Sequence, residues 1–291
     1  MPSSGFEVPQ GAVDCHHHIF DSRFPYSPTR RYTPPSATVA DLQAFHAKIG
    51  ISRTVIVQAS VFGTDNRCMM DALKQLGENA RGVAVIDRTF SASQLDDLSA
   101  GGVRGVRINL ETGKDRDLNY AARRFDETVQ QIAGRDWFIQ VFAVMPIIEG
   151  LAARIMDQPH EIIIDHFGLL KAADGVAQEG LACLLSLMEA KKVYAKLSGA
   201  YMISKLKDYS DITPLARKLI ETAPDRVIWG SNWPHTSGAN RPANSLPTDI
   251  EPFRHEDDAY ILGLVKDWAP DVTLRRKLLV DNPSRLFGFG K

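Results

Sequence analysis

Eight short apolar runs, rich in β-branched residues, recur along the chain with amphipathic segments between them. The runs cover residues 12–15, 54–58, 82–86, 103–108, 138–142, 161–165, 193–197 and 226–229. Several are nearly continuous in apolar character, such as Thr54-Val55-Ile56-Val57 and Ile162-Ile163-Ile164. Strands buried on both faces read this way, and parallel sheets covered by helices supply such strands. The intervening segments carry a helical period. Residues 38–49 open on Thr38 and place Val39, Leu42, Phe45 and Ile49 on one side. Residues 180–190 carry Leu181, Leu184, Leu185 and Leu187, and residues 211–222 open on Asp211 as a cap before Leu215, Leu219 and Ile220. Strands alternating with helices about eight times predict a closed α/β barrel, the (β/α)₈ or TIM barrel. The 291 residues suit one such barrel, read as a single domain over 1–291. An open doubly wound sheet is the alternative, but no Gly-x-Gly-x-x-Gly follows the first run.

Charge narrows the partners. The formal net charge is −1, and no long basic run stands out, so the footprint of a nucleic-acid binder is missing. No apolar stretch approaches the ~20 residues that span a bilayer. The first residues, Met1-Pro2-Ser3-Ser4-Gly5-Phe6-Glu7, lack a basic region followed by an apolar run, so a cytoplasmic protein is expected. Cys15, Cys68 and Cys183 are few and widely spaced, which fits a reducing compartment and gives no zinc ribbon. Assembly into a homo-oligomer is left open.

Functional side chains of a barrel come from the C-terminal ends of its strands. The first run ends in Asp14-Cys15-His16-His17-His18. In a strand His16 and His18 share one face and His17 takes the other. Two imidazoles aimed at one small volume can polarise a carbonyl, trade protons or hold a metal. The second run ends near Ser60 and Thr64, the sixth at Asp165-His166, and the eighth at Asn232-Trp233-Pro234-His235. Histidines thus occupy three strand ends, a concentration that packing alone does not explain. Arg107 and Lys196 lie in otherwise apolar strands, so each needs an anion, from the protein or from a substrate. Tyr32 lies in the first of two long irregular stretches, 21–37 and 236–257, each of which directly follows a strand with a candidate functional residue.

Three motifs together carry a resemblance: Asp-x-His-x-His in the first strand, Asp165-His166-Phe167-Gly168 in the sixth, and Trp229-Gly230-Ser231-Asn232-Trp233-Pro234-His235 in the eighth. With them the chain resembles the amidohydrolase superfamily, and more narrowly its amidohydrolase-2 branch, in the group of lactone hydrolases and lactone isomerases. The resemblance implies a metal-dependent-hydrolase-like barrel that hydrolyses a small carboxylated lactone. His16, His18 and His166 would polarise the carbonyl, and Tyr32, Ser60, Thr64, Arg107, Lys196 and His235 would contact substrate. It also implies catalysis without a cofactor, although zinc could sit on His16, His18 and His166. The lactonases carry a carboxylate general base at the position of Asn232. An amide cannot take a proton from water at neutral pH. Asn232 therefore shifts weight toward lactone isomerisation, toward another base such as His235 or His166, or toward a barrel that binds a metabolite without turning it over.

Overall fold

The computed structural model describes residues 7–112, 117–236 and 244–290. Eight parallel strands follow one another around a single sheet: β1 (Val13–His17), β2 (Arg53–Val57), β3 (Ala80–Ala84), β4 (Val103–Asn109), β5 (Phe138–Phe142), β6 (Ile162–Ile164), β7 (Val193–Ser198) and β8 (Val227–Gly230). The ring closes just past β8. Asn232 N donates to His16 O at 2.8 Å and His18 N donates to Trp233 O at 3.0 Å. The protein is thus a (β/α)₈ barrel.

Between the strands run α1 (Val39–Ile49), α2 (Arg67–Leu76), α3 (Ala92–Ala100), α4 (Leu118–Gln131), α5 (Met145–Asp157), α6 (Leu181–Glu189), α7 (Ala200–Ile203) and α8 (Thr213–Thr222), and α9 (Asp258–Gly263) follows β8. Thr38 caps α1 in a full capping box with Asp41. Asp211 does not cap α8 as expected. A 3₁₀ turn over Ser210–Ile212 leads into that helix, and the Asp211 carboxylate accepts from Ser204 Oγ instead. β3 begins at Ala80, two residues before the apolar run, because Ala80 and Arg81 already pair with Thr54 and Val55 of β2.

Two apolar layers hold the barrel. The outer faces of the strands, such as Ile56, Val106, Ile139 and Ile164, pack under the helices. Inside, Val13, Cys15, Val55, Val57, Val83, Ile163, Tyr194 and Ile228 meet Phe138, Phe287 and Phe289. The last two come from the C-terminal segment and plug the end where the strands begin. This leaves the C-terminal ends of the strands as the open mouth, the usual place for a barrel's chemistry. The two long irregular stretches meet there: Glu251 N donates to Thr33 O at 2.8 Å. Residues 237–243 of the second stretch lie outside the described residues. No helix among the described residues is long and apolar enough to cross a membrane.

Candidate active site

β1 is not a regular strand. Its pairing with β2 shifts register between Asp14 and His17. Val13 and Cys15 belong to the barrel interior, yet His16 also reaches inward, so two consecutive residues take the inner side. A bulge of this kind re-aims the side chains that follow it. His17 then points outward to Thr54 Oγ1 and to His46 of α1, whose ring centroid is 5.5 Å away. His18 returns to the mouth. The His16 ring lies 5.1 Å from that of His18 and 4.6 Å from that of His166, centroid to centroid. The three imidazoles expected from the sequence therefore share one volume.

Below them lies a buried ionic floor. Asp165 Oδ2 accepts from Arg107 Nε at 3.1 Å, from Arg107 Nη2 at 3.0 Å and from Gln140 Nε2 at 2.9 Å. Lys196 Nζ stands 3.2 Å from Asp165 Oδ1, donates to Gln140 Oε1 at 2.8 Å and lies 3.3 Å from His16 Nδ1. Lys196 and Asp165 are both 0 % exposed. The anion that Arg107 and Lys196 require is thus a protein carboxylate. With two cations against one anion, the floor keeps a net positive charge.

The histidines are neutral over this floor. Burial, and then the Lys196 ammonium, holds His16 well below the ordinary imidazole range. Burial and Arg107 lower His18 to about 4. Burial also lowers His166 to about 3, with Arg107 and Lys196 adding to it against the pull of Asp165. Burial alone would raise Asp165, but Lys196, His16 and Arg107 outweigh it and keep the carboxylate ionised. Burial lowers Lys196, opposed by Asp165.

Asn232 adjoins the imidazoles at Gly199, which adopts φ +63°. A Cβ there would stand 3.0 Å from His166 Nδ1 and 3.2 Å from Asn232 Nδ2, and the positive φ would strain any side chain placed there. Asn232 Nδ2 donates to Tyr201 Oη at 2.8 Å and to Met202 Sδ at 3.7 Å. His235 is buried, packs edge-on to Tyr201 at 5.6 Å, and places Nε2 2.9 Å from Asp258 Oδ1. His166, Asn232 and His235 all have positive φ, at 50°, 62° and 66°. Such backbone costs about 1–3 kcal/mol per residue and collects at functional sites. The Tyr32 phenol lies beside the Ser60 and Thr236 side chains. Thr64 is exposed in the turn beyond Ser60, its carbonyl accepting from Asn66 Nδ2 at 3.0 Å. Gln140, Tyr201 and Asp258 were missed in the sequence. Gln140 carried a usable signal, a polar residue inside an apolar strand; Tyr201 and Asp258 carried none.

The model of a family described as amidohydrolase matches residues 13–289. The chain belongs to the amidohydrolase family. Among the relatives of this amidohydrolase, the 4-sulfomuconolactone hydrolase of Rhizobium radiobacter is 38% identical over 288 residues, covering 97% of this chain and 92% of the relative. The 2-pyrone-4,6-dicarboxylate hydrolase of Comamonas testosteroni is 35% identical over 300 residues, with the same coverage of 97% and 92%. The D-galactarolactone isomerase of Agrobacterium fabrum is 29% identical over 285 residues, covering 96% and 91%.

Two groups among the described residues of the amidohydrolase have the make-up of a metal site. His16, Asp165 and His166 bring ligand atoms within 4.8 Å of one another at the mouth. His16 Nε2 is buried with no partner, while His18 and His166 commit Nδ1 to Val57 O and Ser198 Oγ, both at 2.8 Å. Ligating histidines are held in this way by their second nitrogen, so the donor set fits a zinc ion. The second group, Asp14, His17 and His46, lies behind β1. Asp14 is fully engaged there. Oδ1 accepts from His16 N at 3.1 Å and Ser231 N at 2.9 Å, and Oδ2 from Ser231 Oγ at 2.6 Å, with His46 Nε2 at 3.1 Å. That carboxylate ties β1, β8 and α1 together.

Proposed function

We propose that this amidohydrolase hydrolyses a small carboxylated lactone. The observation that carries the reading is the set of neutral imidazoles over a buried floor with net positive charge, in a chain whose relatives at 38% and 35% identity are named as lactone hydrolases. His16 Nδ1 lies 3.3 Å from the Lys196 ammonium, which only donates, and 3.4 Å from Asp165 Oδ1, which only accepts; on this reading Nδ1 accepts from Lys196, the shorter contact, and the ring proton sits on Nε2. That N–H, buried and unpartnered, is the donor for the lactone carbonyl oxygen. Water adds to the carbonyl carbon, and the developing oxyanion gains from the N–H and from the cations behind it. One such donor is worth about 3–4 kcal/mol in a dry site. The ring C–O bond then breaks, and the freed oxygen takes a proton to give a hydroxy acid.

Tyr32, Ser60, Thr64 and the remaining Nη1 of Arg107 contact the substrate's polar groups, while Lys196 acts through His16 and Asn232 orients water or substrate. His16, His18 and His166 would also hold zinc, which would supply Lewis-acid polarisation of the same carbonyl. Asp165 is already outnumbered by Arg107 and Lys196, so no spare carboxylate charge favours a dication, and the reaction is expected to run without one.

Isomerisation of a lactone is the second reading, favoured by the amide at position 232 and by the isomerase relative at 29% identity. The test incubates the chelator-treated protein with 2-pyrone-4,6-dicarboxylate, 4-sulfomuconolactone and D-galactarolactone, following acid release by pH-stat and products by NMR. Acid release from a lactone is expected. Rearranged lactone without acid release would make the protein an isomerase. Binding without turnover would make it a binding module, and activity restored only by added zinc would overturn the metal-free route.

A further inference from the structure

The hydrolysis just described needs a group that takes a proton from water, and Asn232 cannot. His16 is read above as the carbonyl donor, its Nδ1 set between the Lys196 ammonium at 3.3 Å and Asp165 Oδ1 at 3.4 Å, so it is not the group assigned to take that proton. His235 has the reverse arrangement. An anion, Asp258 Oδ1, stands 2.9 Å from Nε2. A carboxylate can only accept, so Nε2 carries the proton and Nδ1 keeps its lone pair. Nδ1 is buried and has no hydrogen-bond partner among the described residues. His235 is three residues beyond Asn232, and its backbone N donates to Asn232 O at 2.9 Å. Both side chains rest on Tyr201, Asn232 through the phenol oxygen and His235 against the ring edge. The Arg254 guanidinium, which lies over Tyr201, is already paired and bonds Glu256 Oε1 at 2.8 Å.

We propose that His235 is the general base of this enzyme and that Asp258, at the start of α9, is the residue that holds its ring in the productive tautomer. The proposal rests on the lactone reading above. His235 Nδ1 takes one proton from water as the oxygen bonds to the carbonyl carbon. The same proton passes to the ring oxygen when the C–O bond breaks, which returns the imidazole to its starting form. Asp258 holds the ring through the Nε2 hydrogen bond throughout, as a carboxylate behind a catalytic imidazole does.

The experiment measures kcat and KM for His235→Gln, Asp258→Asn, Asn232→Asp and the double variant Asn232→Asp with His235→Gln, on whichever lactone the wild type opens. His235→Gln is expected to lower kcat by roughly 10²–10⁴-fold, the usual worth of a positioned base, with KM little changed. Asp258→Asn is expected to lower kcat as well, because an amide donor at that place favours the wrong tautomer. Asn232→Asp placed in the His235→Gln background should recover hydrolysis, since a carboxylate then stands beside the water. A structural role for His235 predicts no such recovery. Independently of turnover, ¹⁵N shifts of His235 in the wild type should report protonation at Nε2. A wild type that opens lactones while His235→Gln keeps its kcat, or a ring protonated at Nδ1, overturns the base assignment alone. A wild type that opens no lactone overturns the functional reading, and the base falls with it.

Discussion

Asp165 answers donors from three other strands: Arg107 of β4, Gln140 of β5 and Lys196 of β7. Removing its charge would leave two buried cations uncompensated. Breaking a buried ionic set in this way costs about 3–5 kcal/mol, far more than a surface pair is worth. We expect Asp165→Asn to lower the unfolding free energy in urea by that amount and to abolish turnover. A loss under about 1 kcal/mol, the scale of a surface pair, would mean that the floor does not hold the barrel together. The polar residues of this floor were partly legible in the sequence. Arg107 and Lys196 stood out because their neighbours on both sides are apolar. Gln140, between Ile139 and Val141, sent the same signal. What the sequence could not supply was the pairing, since residues 107, 140, 165 and 196 meet only when the barrel closes.

Strands were the legible elements. β5 covers the residues that its apolar run marks, and β4 extends that run by one residue. An apolar run in a parallel sheet is set by burial on both faces, which composition records directly. The bulge in β1 left no such record. Alternation from Val13 would have sent His16 outward, and only the register shift against β2 turns both His16 and His18 to the mouth. The seam with β8 depends on the same stretch. Gly230 lies so close to β1 that a Cβ would stand 2.7 Å from His16 Cβ and 2.8 Å from His16 N. Backbone cannot yield as a flexible side-chain tip can, so Gly230→Ala must push β8 away from β1. Overpacking of this kind costs about 1–3 kcal/mol. It should also loosen the bonds from Asn232 N to His16 O and from His18 N to Trp233 O that close the ring. The expected result is faster amide exchange at Asn232 and His18 with a large loss of kcat. Unchanged exchange at those two amides would show that the seam is not the element that sets His16.

The buried histidines couple this local chemistry to the stability of the whole barrel. Burial lowers His16 well below the ordinary range, His17 and His166 to about 3, and His18 to about 4. In the unfolded chain each titrates near 6.5. Above that pH both states carry neutral rings and the groups contribute no slope. As pH falls through 6.5 the unfolded chain binds protons that the folded chain refuses, so folding loses free energy. The loss reaches about 1.4 kcal/mol per pH unit for each such histidine. A second stage follows below pH ~4, where the unfolded chain protonates carboxylates that the fold keeps ionised. Asp14 is one, lowered to about 2 by His46, His17 and Ser231 against its own burial, and Asp165 is another. Urea midpoints should therefore hold level from pH 8 to 7 and fall steeply between pH 6.5 and 4. His17→Gln should flatten the first stage by one proton without touching the imidazoles at the mouth, because His17 faces α1. A wild-type midpoint that stays level down to pH 5 would mean that these rings take up protons inside the fold. The neutral donors on which carbonyl polarisation depends would then not exist at that pH.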